Sequence, residues 1–200
     1  MSGCESIARR VARLIAPLIA VTLLACAPKH PSAADGRREH RVVLVANRNS
    51  AVSVRLADVY QRARGIAPSH RIELSCPTTE EVDRETFRNT IRAPLVDFWH
   101  QCPDSLRPDF AVLMKGVPHK IRGTEGVDGD QAAVDSELAF LPETAAGMVE
   151  GSLRGGRRNL YLAVPGSEVP PFRARTYGML LVTRIDGFTE ADARALIERA

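Results

Sequence analysis

Short apolar runs and amphipathic stretches alternate along residues 41–200. Arg41 to Ala46 is an almost continuous aliphatic run, as expected for a strand that is buried on both faces of a parallel sheet. Four apolar residues then recur at the helical spacing i, i+3, i+4 and i+7: Leu56, Val59, Tyr60 and Ala63. This pattern predicts a strand followed by an amphipathic helix.

The boundaries of this first helix carry their own signals. Ser53 is predicted to cap its amino end, and Gly65 is the expected stop because glycine readily adopts the left-handed conformation there. Pro68 falls in the turn that follows, and Arg71 to Leu74 is predicted to form the second strand. The first part of the body is therefore expected to be one βαβ unit.

A second helical stretch follows, with different signals at its start and in its interior. Asp83 is the predicted N-cap, and Val82 and Phe87 are spaced as a hydrophobic staple. Pro94 lies inside this stretch and lacks an amide hydrogen, so the pattern predicts a kink or two shorter helices. Phe110 to Met114 is the predicted third strand.

The remaining chain repeats the alternation. Val134 to Leu141 is an apolar segment, Asn159 to Val164 is the predicted fourth strand and Gly178 to Thr183 the fifth. Thr189 and Asp192 resemble a capping box that opens a final helix. The whole pattern predicts an α/β fold of three layers, with a largely parallel sheet and helices on both faces, caspase-like or flavodoxin-like.

The amino terminus has the pattern of a targeting segment. Three arginines (Arg9, Arg10 and Arg13) precede the apolar run Leu14 to Leu24, which is too short to span a bilayer as a helix. The run ends in Leu23-Leu24-Ala25-Cys26, which resembles the lipobox of bacterial lipoproteins, where the cysteine is lipidated. The alternative is an ordinary secretory signal that is cleaved elsewhere.

The lipobox implies a division of the chain and a location. Residues 1–25 are the predicted signal peptide, 26–40 the lipidated cysteine and its tether, and 41–200 a single α/β domain. Since Ala27 is not aspartate, the resemblance implies an outer-membrane protein that faces the periplasm of the bacterial envelope. The predicted partner is the membrane, through the lipid anchor; any protein or small-molecule partner is left open.

Charge and composition exclude one class of function. The three arginines against Glu5 supply +2 of the net charge of +3, so the rest of the chain carries only +1. Aromatic residues make up 5% of the chain. A nearly neutral body with few aromatic side chains does not favour nucleic-acid binding.

Export to an oxidising compartment permits a disulfide between Cys76 and Cys102, with two unpaired cysteines as the alternative.

Polar and charged residues cluster after the third and fifth strands. Because the carboxyl ends of parallel strands meet at one edge of a sheet, these side chains are expected to gather in one crevice, with Arg184 paired to Asp135 or Glu137. The candidate polar site is Lys115, His119, Asp135, Ser136, Glu137, Arg184 and Asp186.

Each of these residues has a functional and a structural interpretation. Asp135, Ser136 and Glu137 suit a hard cation or a shared proton, or else Asp135 caps a helix and Glu137 favours its dipole. His119 suits a general base oriented by Asp135, or else is an exposed loop histidine. Arg184 and Asp186 form a salt bridge or bind an anion, or else belong to a structural turn.

In that structural turn, Gly187 would take a positive φ. None of the common catalytic, metal-binding or nucleotide-binding motifs is found, so no catalytic residue, metal or cofactor is predicted.

Several motifs in order resemble a family of exported bacterial proteins of unknown function. They are the strand ending in Asn47, Arg64-Gly65-Ile66 with Pro68, Arg92-Ala93-Pro94-Leu95, Lys115-Gly116-Val117-Pro118, Val134-Asp135-Ser136-Glu137-Leu138 and Thr183-Arg184-Ile185-Asp186-Gly187. The resemblance implies a relationship to this family, and because the family has no established activity it implies no particular reaction. A more distant likeness is to caspase-like and gingipain-like peptidases, whose catalytic His and Cys follow later strands and have no match in this chain. The two interpretations are a domain without peptidase activity and a truncated family member.

These observations predict a membrane-anchored bacterial lipoprotein whose domain is a binding or structural module. The alternative is a hydrolase, peptidase-like, whose catalytic half is missing from this chain.

Overall fold

A computed structural model describes residues 40–126, 128–148 and 171–199 of the chain. The strands are β1 (Val42–Asn47), β2 (Arg71–Leu74), β3 (Glu81–Val82), β4 (Phe110–Met114), β5 (Lys120–Ile121), β6 (Ala132–Ala133) and β7 (Leu181–Ile185). The α-helices are α1 (Ala51–Arg64), α2 (Arg84–Phe87), α3 (Ala93–Gln101), α4 (Val134–Ala139), α5 (Leu141–Ala145), α6 (Ala174–Tyr177) and α7 (Glu190–Arg199).

The main sheet is parallel and has the order β2-β1-β4-β7. Among the described residues, the strands of this sheet follow the order 2-1-3-4, as at the start of a flavodoxin-like sheet. A second, three-stranded sheet, β3-β5-β6, lies in the connections that follow β2 and β4, and β6 in it runs antiparallel to β5. The predicted three-layer α/β class is therefore confirmed.

Alternate side chains of the central strands enter two separate cores. Val43 and Val45 pack on one side with α3 and α4, whereas Leu44 and Ala46 pack on the other side with α1 and α7. Leu44 and Leu113 are fully buried, as the sequence predicts. The predicted fourth strand, which includes Leu162, lies outside the described residues.

Helix α1 begins earlier than predicted, and its cap is Ser50. The Ser50 Oγ accepts a hydrogen bond from the Ser53 N–H at 3.3 Å. Ser53 is buried in the first turn, and its own Oγ accepts from the Asn47 N–H at 2.9 Å, so it cannot serve as the cap. The predicted stop at Gly65 is confirmed, since this residue is left-handed with φ 62°.

The second helical stretch confirms the prediction of two segments around Pro94. Asp83 caps α2 by accepting from the Thr86 N–H at 2.7 Å. Residues Arg88–Arg92 form a π-turn, and the Ala93 N–H donates to the Arg88 carbonyl. The backbone stays helical through Arg92 and Ala93, so Pro94 directly follows a π-turn inside a continuous helical stretch, an irregularity of the kind found at helix kinks.

The last strand begins at Leu181, three residues later than the sequence pattern predicts. Gly178 is left-handed, with φ 64°, and ends α6. The Leu180 N–H donates to the Ala139 carbonyl of α4, so pairing with the sheet begins only at Leu181. The predicted capping box is confirmed, because Thr189 and Asp192 exchange backbone-to-side-chain hydrogen bonds of 2.9 and 3.2 Å at the start of α7.

The predicted signal peptide (1–25), Cys26 and the tether up to residue 39 lie outside the described residues. Within the described part of the chain, no helix is long and apolar enough to cross a membrane.

Candidate functional site

The buried side chain of Asn47 joins the loops that leave three neighbouring strands. Its Nδ2 donates to the Gly116 carbonyl at 2.8 Å and to the Pro77 carbonyl at 3.2 Å. Its Oδ1 accepts from the Asn49 N–H at 3.1 Å. One amide at the end of β1 therefore holds the connections after β1, β2 and β4 together at the carboxyl edge of the sheet.

The loop after β4 approaches the amino end of α1 closely, and this requires glycine at position 116. Gly116 has φ 96°, and a Cβ there would lie 2.6 Å from the Ser50 Oγ. An L side chain would meet both backbone strain and a clash. This close approach brings Lys115 and Val117 beside the start of α1.

Lys115, Asp186 and His119 form a connected chain of polar groups at the ends of β4 and β7. These strands pair directly, with Met114 opposite Ile185, so the residues that follow them lie side by side. Lys115 Nζ donates to Asp186 Oδ1 at 2.9 Å and to the Gly187 carbonyl at 2.5 Å. Asp186 Oδ2 lies 2.8 Å from His119 Nε2.

The predicted partner of His119 was wrong. Asp186, and not Asp135, orients the imidazole, because Asp135 is occupied by Arg184. The His119 side chain is 43% exposed, so the imidazole is held by the carboxylate and is partly open to solvent.

Arg184 forms the ion pair that the strand order predicts. Its Nη2 donates to Asp135 Oδ1 at 2.6 Å, and its Nε lies 3.0 Å from the same oxygen. Its two terminal nitrogens also donate to the Val117 and Pro118 carbonyls at 2.6 and 2.7 Å. The guanidinium therefore fixes the loop after β4 as well as the start of α4.

Asp135 and Glu137 do not act together as a cation or proton site, and of their structural roles only the helix-dipole role is confirmed, because Glu137 lies in the first turn of α4. Helix α4 begins after Ala133 without a side-chain cap, so Asp135 is not its N-cap. Glu137 is buried and forms an ion pair with Arg84 of α2, whereas Ser136 is exposed. With each carboxylate bound to its own arginine, no shared proton or cation site forms, and the described residues contain no cluster of three or more side chains suited to a metal.

The charge of Asp186 is stabilised by its neighbours. Burial by itself would raise the pKa of this carboxyl. The hydrogen bonds from Lys115 and from the Gly187 N–H, together with the positive charge of Lys115, outweigh burial and hold the pKa of Asp186 below its ordinary value. Asp186 is therefore an anion at neutral pH and keeps Lys115 and His119 in place.

An open groove of about 710 Å³ runs across this edge of the sheet. Phe188 stands at the rim with its side chain fully exposed. The lining residues are Ser50, Val52, Thr78, Thr79, Glu80, Lys115, Gly116, Val117, His119, Asp186, Gly187 and Phe188.

Of the predicted site residues, only Lys115, His119 and Asp186 line the groove. Arg184 and Asp135 support the loop behind it, and Glu137 belongs to a separate ion pair. Sequence reasoning missed Thr78 and Phe188, although each follows a predicted strand by only a few residues, the position from which side chains reach a crevice of this kind.

Gly187 does not have the positive φ that was predicted for it. Glycine is needed there because a Cβ would lie 2.7 Å from the Asp192 Cβ at the start of α7. The turn after β7 is therefore held close to the helix that follows.

The predicted bridge between Cys76 and Cys102 was also wrong, because both are free thiols. Cys102 Sγ lies 4.0 Å from His70 Nε2, beside the start of β2, whereas Cys76 follows the end of β2 and its N–H donates to Asn47. The four-residue strand β2 lies between His70 and Cys76 and spans roughly 13 Å, which exceeds the roughly 7 Å limit for bridged Cα atoms. Burial raises the pKa of Cys76 to about 11 and also raises that of Cys102.

Comparison with known proteins identifies no relative. No family model matches the chain, and neither a curated protein nor a solved structure matches it. The resemblance to exported bacterial proteins stays a prediction.

Proposed function

We propose that the protein is a lipid-anchored bacterial envelope protein whose α/β domain binds a small ligand in the groove at the carboxyl edge of its sheet. The anchor is supported by the pattern that ends in Cys26. The binding role is supported by the groove, which lies where open α/β sheets commonly bind ligands.

The binding role rests on which polar groups of the groove already have a partner within the protein and which do not. Lys115 and Asp186 are bound to each other. In contrast, the Thr78 hydroxyl and the Nδ1 of His119 make no hydrogen bond to the described residues. The Thr78 hydroxyl and the His119 Nδ1 are thus available to a ligand at the surface of the groove, while the Lys115–Asp186 ion pair holds its wall.

The walls of the groove are held in place before any ligand arrives. Asn47 ties the loops after β1, β2 and β4 together, and Arg184 holds the loop after β4 from behind. A site with walls that are already ordered loses less entropy when a ligand binds, which favours specific recognition.

A second candidate function is hydrolysis, and the His119–Asp186 contact favours it. A carboxylate 2.8 Å from one imidazole nitrogen orients the ring and leaves the other nitrogen to accept a proton. This role would make His119 a general base in the groove.

One set of variants tests the groove and separates the two candidates. Thr78→Trp places a large side chain in the groove at an exposed position, and Ala63→Trp places the same side chain on the exposed surface of α1 as a control. In a thermal-shift screen of small metabolites, we expect ligands that raise the Tm of the wild type and of Ala63→Trp but not of Thr78→Trp.

Ligands that raise the Tm of all three proteins equally would place binding outside the groove. A screen in which no metabolite raises the Tm of the wild type would leave the binding role unsupported. The hydrolase candidate predicts in addition that the wild type and Ala63→Trp cleave a chromogenic ester which Thr78→Trp does not.

A further inference from the structure

The charged groups around the groove cancel one another. Glu80 forms an ion pair with Lys120 at 3.2 Å, and Asp186 with Lys115 at 2.9 Å. An anionic ligand would face the carboxylates of Glu80 and Asp186. A cationic ligand would face Lys115, and the carboxylate of Asp186 is already paired with that lysine. Since an unpaired charge is costly to desolvate, the groove favours a ligand without net charge.

The polar groups that remain available for hydrogen bonding lie on separate loops. Thr78 follows β2, His119 follows β4 and Ser50 precedes α1. The Ser50 Oγ accepts one hydrogen bond from the Ser53 N–H, which leaves its own hydrogen to donate. Hydroxyls both donate and accept hydrogen bonds, so these groups suit a ligand that carries several hydroxyls.

The rim of the groove adds an apolar platform. The exposed large apolar side chains of the described residues are Met148, Phe188 and Leu196, and Phe188 alone among them is aromatic. Its backbone is held on both sides, by the Lys115 bond to the Gly187 carbonyl and by the Thr189–Asp192 capping box. An aromatic ring that is left fully in water beside a groove gains free energy when the flat apolar face of a ligand covers it.

We infer that the groove binds a short, neutral oligosaccharide, an inference that rests on the proposed binding function. A sugar ring carries hydroxyls, which can hydrogen-bond to Thr78 and His119. It also has a flat face of C–H groups, which can cover the ring of Phe188. The volume of about 710 Å³ falls in the usual range of small-ligand sites.

A peptide fits the groove less well than a sugar does. Extended peptides commonly bind by adding a strand along the open edge of a sheet. The groove instead lies across the carboxyl ends of the main strands, where β1 and β4 already have a neighbour on each side.

The test uses the full chain in a polyoxyethylene detergent, which contains no sugar headgroup. The probes are maltotriose, cellotriose and chitotriose as neutral sugars, with inorganic phosphate as an anion, measured by titration calorimetry and saturation-transfer NMR. We expect at least one trisaccharide to bind and phosphate not to bind.

Phe188→Ala should weaken trisaccharide binding by roughly tenfold through loss of the aromatic platform. Leu196→Ala, which removes another exposed apolar side chain on α7, should leave the affinity unchanged. Both positions are exposed, so both variants should melt at the wild-type temperature, and this is checked by circular dichroism.

The inference is overturned if no trisaccharide binds, if Phe188→Ala binds as tightly as Leu196→Ala, or if phosphate binds in place of sugar. Its failure is distinguishable from failure of the proposed function. Small molecules that bind the wild type but not Thr78→Trp would retain the groove as a ligand site without a role for sugar.

Discussion

The charged residues at the carboxyl edge of the sheet act mainly on one another. Arg184 illustrates this, because its planar guanidinium binds Asp135 and two loop carbonyls at once. A lysine at this position would offer a single point of attachment and could not hold all three. These charged residues therefore hold the walls of the groove in place.

Asp186 should contribute stability that depends on pH. Its pKa in the folded protein is below the ordinary value of 3.8, so its contribution is present above about pH 4 and is lost as the pH falls through the folded pKa. In urea titrations, Asp186→Asn should be less stable than the wild type at pH 7, and the difference should shrink below pH 4.

Asp104→Asn is the control for that prediction, because Asp104 is mostly exposed and pairs only with Arg107, three residues away. A difference between Asp186→Asn and the wild type that stays constant from pH 7 to pH 3 would contradict the assigned role of the carboxylate.

At the scale of the elements, β4 is one of the two interior strands of the main sheet as described. It pairs with β1 on one side and β7 on the other, and the loop that follows it supplies Lys115, Gly116 and His119 to the groove. The strand thus connects the core directly to the candidate site.

Leu113→Ala should destabilise the domain by about 2–5 kcal/mol, the usual cost of a cavity at a fully buried leucine. Leu196→Ala on α7 is the matched control and should change the free energy of unfolding by less than about 0.5 kcal/mol, since Leu196 is exposed. A cost below about 1 kcal/mol for Leu113→Ala in urea unfolding would be incompatible with its place in the core.

At the scale of the whole molecule, helices on both faces of a parallel sheet leave its carboxyl edge open. The connections from three strands converge there, and Asn47 joins them. In the proposed arrangement, a lipid at Cys26 holds this domain at the membrane through the segment 27–40.

Cys26→Ser should release the protein from membranes and abolish labelling by radioactive palmitate, because the lipid is attached through the thiol. Cys4→Ser is the matched control, since Cys4 lies before the predicted cleavage site, and it should remain membrane-bound and labelled. Cell fractionation of both variants decides the matter. An unlabelled wild type together with a membrane-bound Cys26→Ser would contradict the anchor.

The sequence by itself determined the fold class and many of the element boundaries. Hydrophobic periodicity reports which face of a segment is buried, and Gly65, Asp83 and the Thr189–Asp192 pair act within a few residues of their own positions. The pairing of Arg184 with either Asp135 or Glu137 was also predictable, because parallel strand ends meet at one edge, and the structure selects Asp135.

Only the tertiary structure decided which polar groups share the groove. His119 pairs with Asp186, Glu137 pairs with Arg84, and the two cysteines lie at opposite ends of β2. These contacts join residues that are far apart in the chain, and their distances depend on strand register and on close approaches such as that of Gly116 to Ser50. Local sequence patterns contain no measure of either, so the groove and the exposed ring of Phe188 became visible only in three dimensions.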